Sequence, residues 1–253
     1  MAMDVEVRSL DFGYATSSGA EWIFRDFDLT VTSGSVHAIL GASGCGKSTL
    51  LRILAGLETP VGGTIDVRGP ELAAKRFALV FQDPALLPWW NVARNVGLGV
   101  EYDKERVGLY DKIRSFTLDR VGLTELADRR PGTLSHGQNT KASIGRALAY
   151  DADVMMLDEP FVHLDALSKQ KMWREFETHW QLEERTYILV THDIQEAVLL
   201  ADRVTILSRS LPTKIVDTIE VGLSRPRTSE SMTTTDFRAA VAHVWDALKK
   251  SAN

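Results

Sequence analysis

The chain has 253 residues, 44% of them apolar, a formal net charge of −5 and a pI near 5.7. That is length for one large or two small domains and an ordinary apolar share for a soluble protein with a core. It leaves no basic field of the kind a nucleic-acid partner requires. No apolar run approaches the length of a membrane span. The opening MAMDVEVRSLDF has no signal-peptide pattern, and the single cysteine, Cys45, makes no internal disulfide, so a cytoplasmic location is expected.

In chain order, residues 5 to 12 place apolar side chains at Val5, Val7, Leu10 and Phe12 and predict a strand, with Tyr14 just beyond it. ATSSGAE (15–21) is a polar turn, and Phe24, Phe27, Leu29 and Val31 predict a second strand on the same sheet. Val36, Ala38, Ile39 and Leu40 form a buried-strand run. It enters Gly41, Ala42, Ser43, Gly44, Cys45, Gly46, Lys47 and Ser48, which fit the phosphate-binding pattern G-x-x-x-x-G-K-[ST]. A helix follows from Ser48 to Leu57. Glycines let backbone amides turn inward around a phosphate chain. The helix N-terminus adds free N–H groups, Lys47 reaches the β- and γ-phosphates, and the Ser48 hydroxyl suits Mg²⁺. The nearby lysine and helix N-terminus predict an acidified, alkylatable thiol at Cys45. Pro60 and Gly62–Gly63 then turn the chain into TIDVRG, and FALVFQ (77–82) ends in Gln82.

The texture changes near residue 84. Pro84 and Pro88 bracket a loop, followed by Trp89 and Trp90. Asn91 caps a predicted helix through Val96, and Asp103 a second one towards Val121. Leu123 to Ala127 is a short helix, and Ser135 opens one to about Tyr150. This reads as a helical insertion within an α/β domain. Strand–helix alternation resumes with DVMMLDEP (153–160), a helix from Asp165 to about Glu183, TYILVTH (186–192), a helix from Asp193 to Ala201, and RVTILS (203–208). KIVDTIEV (214–221) is an edge strand and SRPRTSESMTTTD a polar linker. Phe237, Val241, Val244, Trp245 and Leu248 recur at helical spacing as a docking stripe.

Four apolar residues before Asp158 and Glu159 supply the second acidic strand end that a P-loop site needs. Asp158 suits Mg²⁺, and Glu159 is placed to take a proton from attacking water. Ser135-x-x-Gln138 is a capping box, worth ~1 kcal/mol as structure alone. Placed before VMMLDE, however, LSHGQ resembles the LSGGQ signature of ABC-transporter ATPases. GASGCGKST, Gly41 to Thr49, resembles their Walker A motif, VMMLDE their Walker B motif and Gln82 their Q-loop. His192 is similar to their switch histidine, FVHLD ending in Asp165 to their D-loop, and Tyr14 to their adenine-stacking aromatic.

The resemblance implies a single P-loop NTPase domain of α/β class with an N-terminal antiparallel β subdomain and a helical insertion. Its parts would be residues 1–84 and 151–222 as nucleotide-binding core, 85–150 as signature subdomain, and 223–253 as linker and C-terminal helix. It implies ATP and Mg²⁺ as cofactors, with Ser48, Gln82 and Asp158 around the metal. Glu159, His192 and Gln82 would be catalytic. It also implies a head-to-tail dimer with a second copy, in which Ser135, Gly137, Gln138 and Asp165 meet the nucleotide bound by the partner. Two features depart from the family: His136 replaces a signature glycine, and NTKASIGRAL keeps only Lys141 and Arg146 as basic residues.

FQDPALLPWWNVARNV and IVDTIEVGLSRPR resemble the nitrate, sulfonate and taurine importer cassettes. That implies permease subunits docking near Gln82, Trp89 and Trp90, a solute-binding protein in the full complex, and no nucleic acid. The chain would then be peripheral, at the cytoplasmic face of the inner membrane. The alternative is a soluble ABC-type ATPase, or a weakly hydrolysing nucleotide-dependent regulator prompted by His136.

Overall fold

A computed structural model describes residues 2–17, 19–69, 77–162, 164–183 and 185–251. Strands β1 (Asp4–Thr16) and β2 (Gly19–Val31) form an antiparallel hairpin. The apolar positions of β1 step by two from Val5 to Val7, then by three to Leu10. A bulge at that step, with Ser9 at φ 47°, keeps Val5, Val7, Leu10 and Phe12 all buried.

Strand β3 (Val36–Leu40) leads through the glycine-rich loop to helix α1 (Lys47–Leu54). Strand β4 (Gly62–Arg68) then returns to the other edge of β1, giving the order β2-β1-β4. Gly63 is required in this pairing. Its φ is +89°, and a Cβ there would lie 2.5 Å from the Ser9 carbonyl oxygen.

The second sheet contains β3 together with β5 (Phe77–Val80), β6 (Val154–Asp158), β7 (Thr186–Thr191), β8 (Arg203–Leu207) and β9 (Ile215–Glu220). Its order is β5-β6-β7-β3-β8-β9, parallel except for the antiparallel edge strand β9. Every residue of β3, β6 and β7 is buried, as continuous apolar runs in a sheet covered on both faces require. Alternate residues of one strand feed different cores. Ile39, Met156, Ile188 and Val190 pack against the three-stranded sheet and α1. Ala38, Leu40, Met155, Leu157 and Leu189 pack against the remaining helices.

Those helices are α2 (Val92–Glu101), α3 (Tyr110–Arg120), α4 (His136–Tyr150), α5 (Ala166–Glu183), α6 (Ile194–Leu200) and α7 (Thr235–Lys250). The helix expected from Asp103 to Val121 is divided: a 3₁₀ turn at Val107–Leu109 precedes α3. No described helix is long and apolar enough to cross a membrane.

The segment expected to be a polar linker is instead anchored in the interior. Arg227 is 3% exposed and donates to the carbonyls of Val198, Ala201 and Leu223. Arg225 pairs with Glu177 and Asp202, donates to the Leu200 carbonyl, and lies 3.9 Å over the Trp180 ring. Both guanidiniums thus cap the C-terminal carbonyls of α6. Composition reads arginine as solvated, but here the forked guanidinium donors are divided between carbonyls that the end of α6 leaves open and other partners, the Glu177 and Asp202 carboxylates for Arg225 and the Leu223 carbonyl for Arg227. Phe237, Val244 and Ala247 form the buried stripe of α7, while Trp245 is half-exposed and lies off it.

Candidate functional site

Parallel strands end on the same edge of a sheet, so loops distant in sequence meet there. The glycine-rich loop follows β3, Gln82 follows β5, Asp158 and Glu159 close β6, and His192 follows β7. Gly44 and Gly46 take φ of +82° and +95°. At Gly46 a Cβ would also lie 2.6 Å from Ile23 Cγ2, so both backbone and packing demand glycine. Lys47 Nζ donates to the carbonyls of Gly41 (2.8 Å) and Ala42 (2.9 Å), which holds its ammonium against the loop.

Ser48 Oγ donates to Asp158 Oδ1 at 3.0 Å. Burial pushes the Asp158 carboxyl up, opposed by that hydrogen bond and by Lys47. Glu159 is in the left-handed region at φ 45°, and its N–H donates to the Val190 carbonyl on the neighbouring strand. Such backbone strain costs of order 1–3 kcal/mol and persists where the surroundings fix it. The consequence is visible at the side chain: Glu159 Oε2 lies 3.0 Å from His192 Nδ1. Asp193 caps α6 by accepting from the N–H groups of Gln195 and Glu196, which fixes the turn bearing His192.

Tyr14 is 38% exposed; its ring meets Phe12 edge-on at 5.0 Å, and its hydroxyl lies 3.3 Å from Thr49 Oγ1. An open aromatic face thus stands beside the first turn of α1. Cys45 corrects an expectation. Its side chain is 1% exposed, and its Sγ packs where a Gly41 Cβ would stand, 2.6 Å away. Burial pushes the thiol up, outweighing the pull of Lys47, so this is not an acidified, accessible thiolate.

Ser135 caps α4 through both halves of its capping box: Gln138 N–H donates to Ser135 Oγ, and Ser135 N–H to Gln138 Oε1. His136 is the exposed first residue of that helix. The groove beside Ser135, Gly137 and Gln138 is lined by Leu164, Ser168 and Lys171, and no residue of 41–49 lines it. Asp165 caps α5, accepting from Leu167 and Ser168 N–H and from Ser168 Oγ. His163 lies outside the described residues. A single copy therefore separates its signature turn from its own P-loop.

Residues 24–162, more than half of the chain, match the family model described as ABC transporter. The chain belongs to the ABC transporter family. It is similar to "Aliphatic sulfonates import ATP-binding protein SsuB 1" of Mesorhizobium japonicum, 40% identical over 83% of this chain and 77% of that protein. The protein of the same name from Streptomyces avermitilis is 42% identical, over 85% of this chain and 77% of its own length. A dimeric ATP-binding cassette in a post-hydrolysis state, bound to ADP and Pi, superposes with TM-score 0.76. It covers 87% of this chain and 100% of its own at 23% identity, which speaks to the fold alone. CbiO1 from Clostridium perfringens gives TM-score 0.72 at 26% identity over 86% and 88% of the two chains. The expected P-loop core, antiparallel subdomain and helical insertion all stand. As an ABC cassette the chain is an ATP-hydrolysing subunit coupled to membrane transport.

Two residues shape the loop after Gln82: Arg146, which sequence reasoning noted only as a remaining basic residue, and Asn95, which it passed over. Arg146 of α4 donates to the carbonyls of Ala85 (3.0 Å) and Pro84 (3.2 Å). Asn95, fully buried, accepts from Leu87 N–H and donates to the carbonyls of Leu87 and Asn91. An amide within the apolar stripe of α2 was the available signal. The tryptophan pair divides: Trp89 is 65% exposed, whereas Trp90 is half-buried under the Arg94 guanidinium at 4.0 Å.

Proposed function

We propose that this cassette powers an importer for aliphatic sulfonates or closely related small organic anions. Its relatives carry that name at about 40% identity over more than four-fifths of the chain. The observation carrying the mechanism is the pairing of Ser48, in the first turn of α1, with Asp158, and of Glu159 with His192, each at 3.0 Å, on the sheet edge where β3, β6 and β7 end.

The loop amides of residues 41–46 and Lys47 bind the β- and γ-phosphates, and Tyr14 stacks on the adenine. Ser48 and Asp158, already within hydrogen-bond distance of one another, offer hard oxygen ligands for Mg²⁺, with Gln82 completing the set. When bound, the ion neutralises charge on the phosphate oxygens. Glu159 takes a proton from the attacking water. His192 orients the Glu159 carboxylate through Nδ1 and reaches the γ-phosphate.

Ser135, Gly137 and Gln138 belong to the nucleotide site of a second copy, because no residue of the chain's own P-loop lines their groove; Asp165, between the groove residues Leu164 and Ser168, goes with them. The division into core (1–84 and 151–222), signature subdomain (85–150) and C-terminal part (223–253) follows that assignment. A permease helix docks on the loop from Asp83 to Trp89, with Trp89 as its aromatic anchor. The complex works at the cytoplasmic face of the membrane with a solute-binding protein on the other side.

The test is ATPase activity and uptake in proteoliposomes holding the cassette, its permease and its binding protein. An alkanesulfonate should stimulate turnover and be transported, with nitrate and taurine compared beside it. A cassette that hydrolyses ATP but neither associates with a permease nor responds to any of these anions would return the reading to a soluble ABC ATPase.

A further inference from the structure

Behind the strand ends, one buried carboxylate joins the turn of His192 to the helix that follows Asp165. Glu196 of α6 is 2% exposed. Its Oε2 accepts from Thr191 Oγ1, and its Oε1 accepts from Trp173 Nε1 at 3.3 Å. Lys169 Nζ lies 3.8 Å from Glu196 Oε1 and 3.5 Å from Asp193 Oδ2. Thr191 immediately precedes His192, and its hydroxyl also accepts from Asp193 N–H at 3.1 Å. Lys169 stands one turn into α5, its N–H donating to the Asp165 carbonyl at 2.9 Å. The cluster therefore touches both sides of the His192 turn and the first two turns of α5.

A carboxylate buried this deeply is costly unless donors surround it. An apolar side chain would pack the same position without that cost. The donors here are supplied by Thr191, Trp173 and Lys169 rather than by helix ends or solvent, so the carboxylate links elements rather than capping one. Burial pushes its carboxyl up, while Thr191 and Lys169 pull it back.

We propose that Glu196 is a positioning residue for hydrolysis, clamping the turn that carries His192 to α5 so that His192 keeps its contact with Glu159. The inference rests on the assignment of Glu159 and His192 given above. Loss of the clamp frees the turn and lowers the fraction of time that His192 Nδ1 spends against Glu159 Oε2. Nucleotide binding, which depends on the β3 loop and α1, is untouched.

The experiment measures kcat and KM for ATP in the complete permease complex for Glu196→Gln, Thr191→Val and Thr191→Ser, with Glu159→Gln alongside. Glu196→Gln and Thr191→Val should lower kcat by about tenfold or more, with KM within about twofold of wild type. Thr191→Ser keeps the hydroxyl donor and should restore kcat to within about twofold. If Glu196→Gln does not fold, the Thr191 pair decides alone. A normal kcat in Thr191→Val, or an equal loss in Thr191→Ser, overturns the proposal. If Glu159→Gln abolishes turnover while Thr191→Val does not, only this inference falls. If Glu159→Gln turns over normally, the site assignment beneath it falls as well.

Discussion

Replacing Tyr14 with alanine removes the ring beside the first turn of α1 together with its hydroxyl contact to Thr49. Tyr14 is more than a third exposed, its ring braced edge-on by Phe12 and its hydroxyl tethered by Thr49. Stacking of an aromatic on a base is worth ~1–3 kcal/mol, which spans about 5- to 150-fold in Kd. One open face on one base places the expected loss at roughly tenfold. Tyr14→Phe separates the ring from its hydroxyl. The Phe12 contact survives, and a long, exposed hydrogen bond contributes ~0.5 kcal/mol at most, so its Kd should stay within about threefold of wild type. GTP should suffer as ATP does, because every base has a π-face. Calorimetric titration of the nucleotide into each folded variant reads both numbers. An unchanged Kd in Tyr14→Ala would show that the ring only packs on the sheet.

Three further outcomes are expected. Cys45 should resist alkylation in the folded protein with or without MgATP and react promptly on unfolding; nucleotide-sensitive labelling of the native state would contradict its burial. His37 is buried against Thr205 Oγ1 at 2.8 Å, and burial lowers its pKa to about 4. The unfolded chain therefore takes the proton first, so stability should fall between pH 6.5 and pH 4 by roughly 3 kcal/mol; urea unfolding should show this component vanish in His37→Gln. Arg146→Met should cost ~1–3 kcal/mol and speed amide exchange across residues 84–91 while β3 stays protected; unchanged exchange there would remove Arg146 as the brace of that loop.

The parts of the fold that could be read from sequence are those where one local rule acts without competition. Continuous apolar runs marked β3, β6 and β7 because both sheet faces are covered. Ser135 and Gln138 marked the start of α4 because the capping box is a short-range bond pattern. Where two long-range effects oppose each other, the sequence was ambiguous. Cys45 has a lysine and a helix N-terminus nearby, yet the side chain turns inward and burial wins. Arg225 and Arg227 sit in a polar stretch, yet they fill the open carbonyls at the end of α6. The strained backbone of Glu159 and the Glu196 cluster have no local signature, because each depends on a neighbouring strand or helix. Trp89 and Trp90 are adjacent in sequence but have different fates, since Arg94 covers only one of them.

The central claim is that Glu159, held by the strained end of β6 against His192, is the base for ATP hydrolysis. Glu159→Gln keeps the shape and loses the proton acceptor. General base catalysis contributes about 10²–10⁴-fold, so kcat should fall by that factor while the Kd for ATP stays near wild type. A variant that binds ATP and still turns it over within a few-fold of wild type would contradict the account.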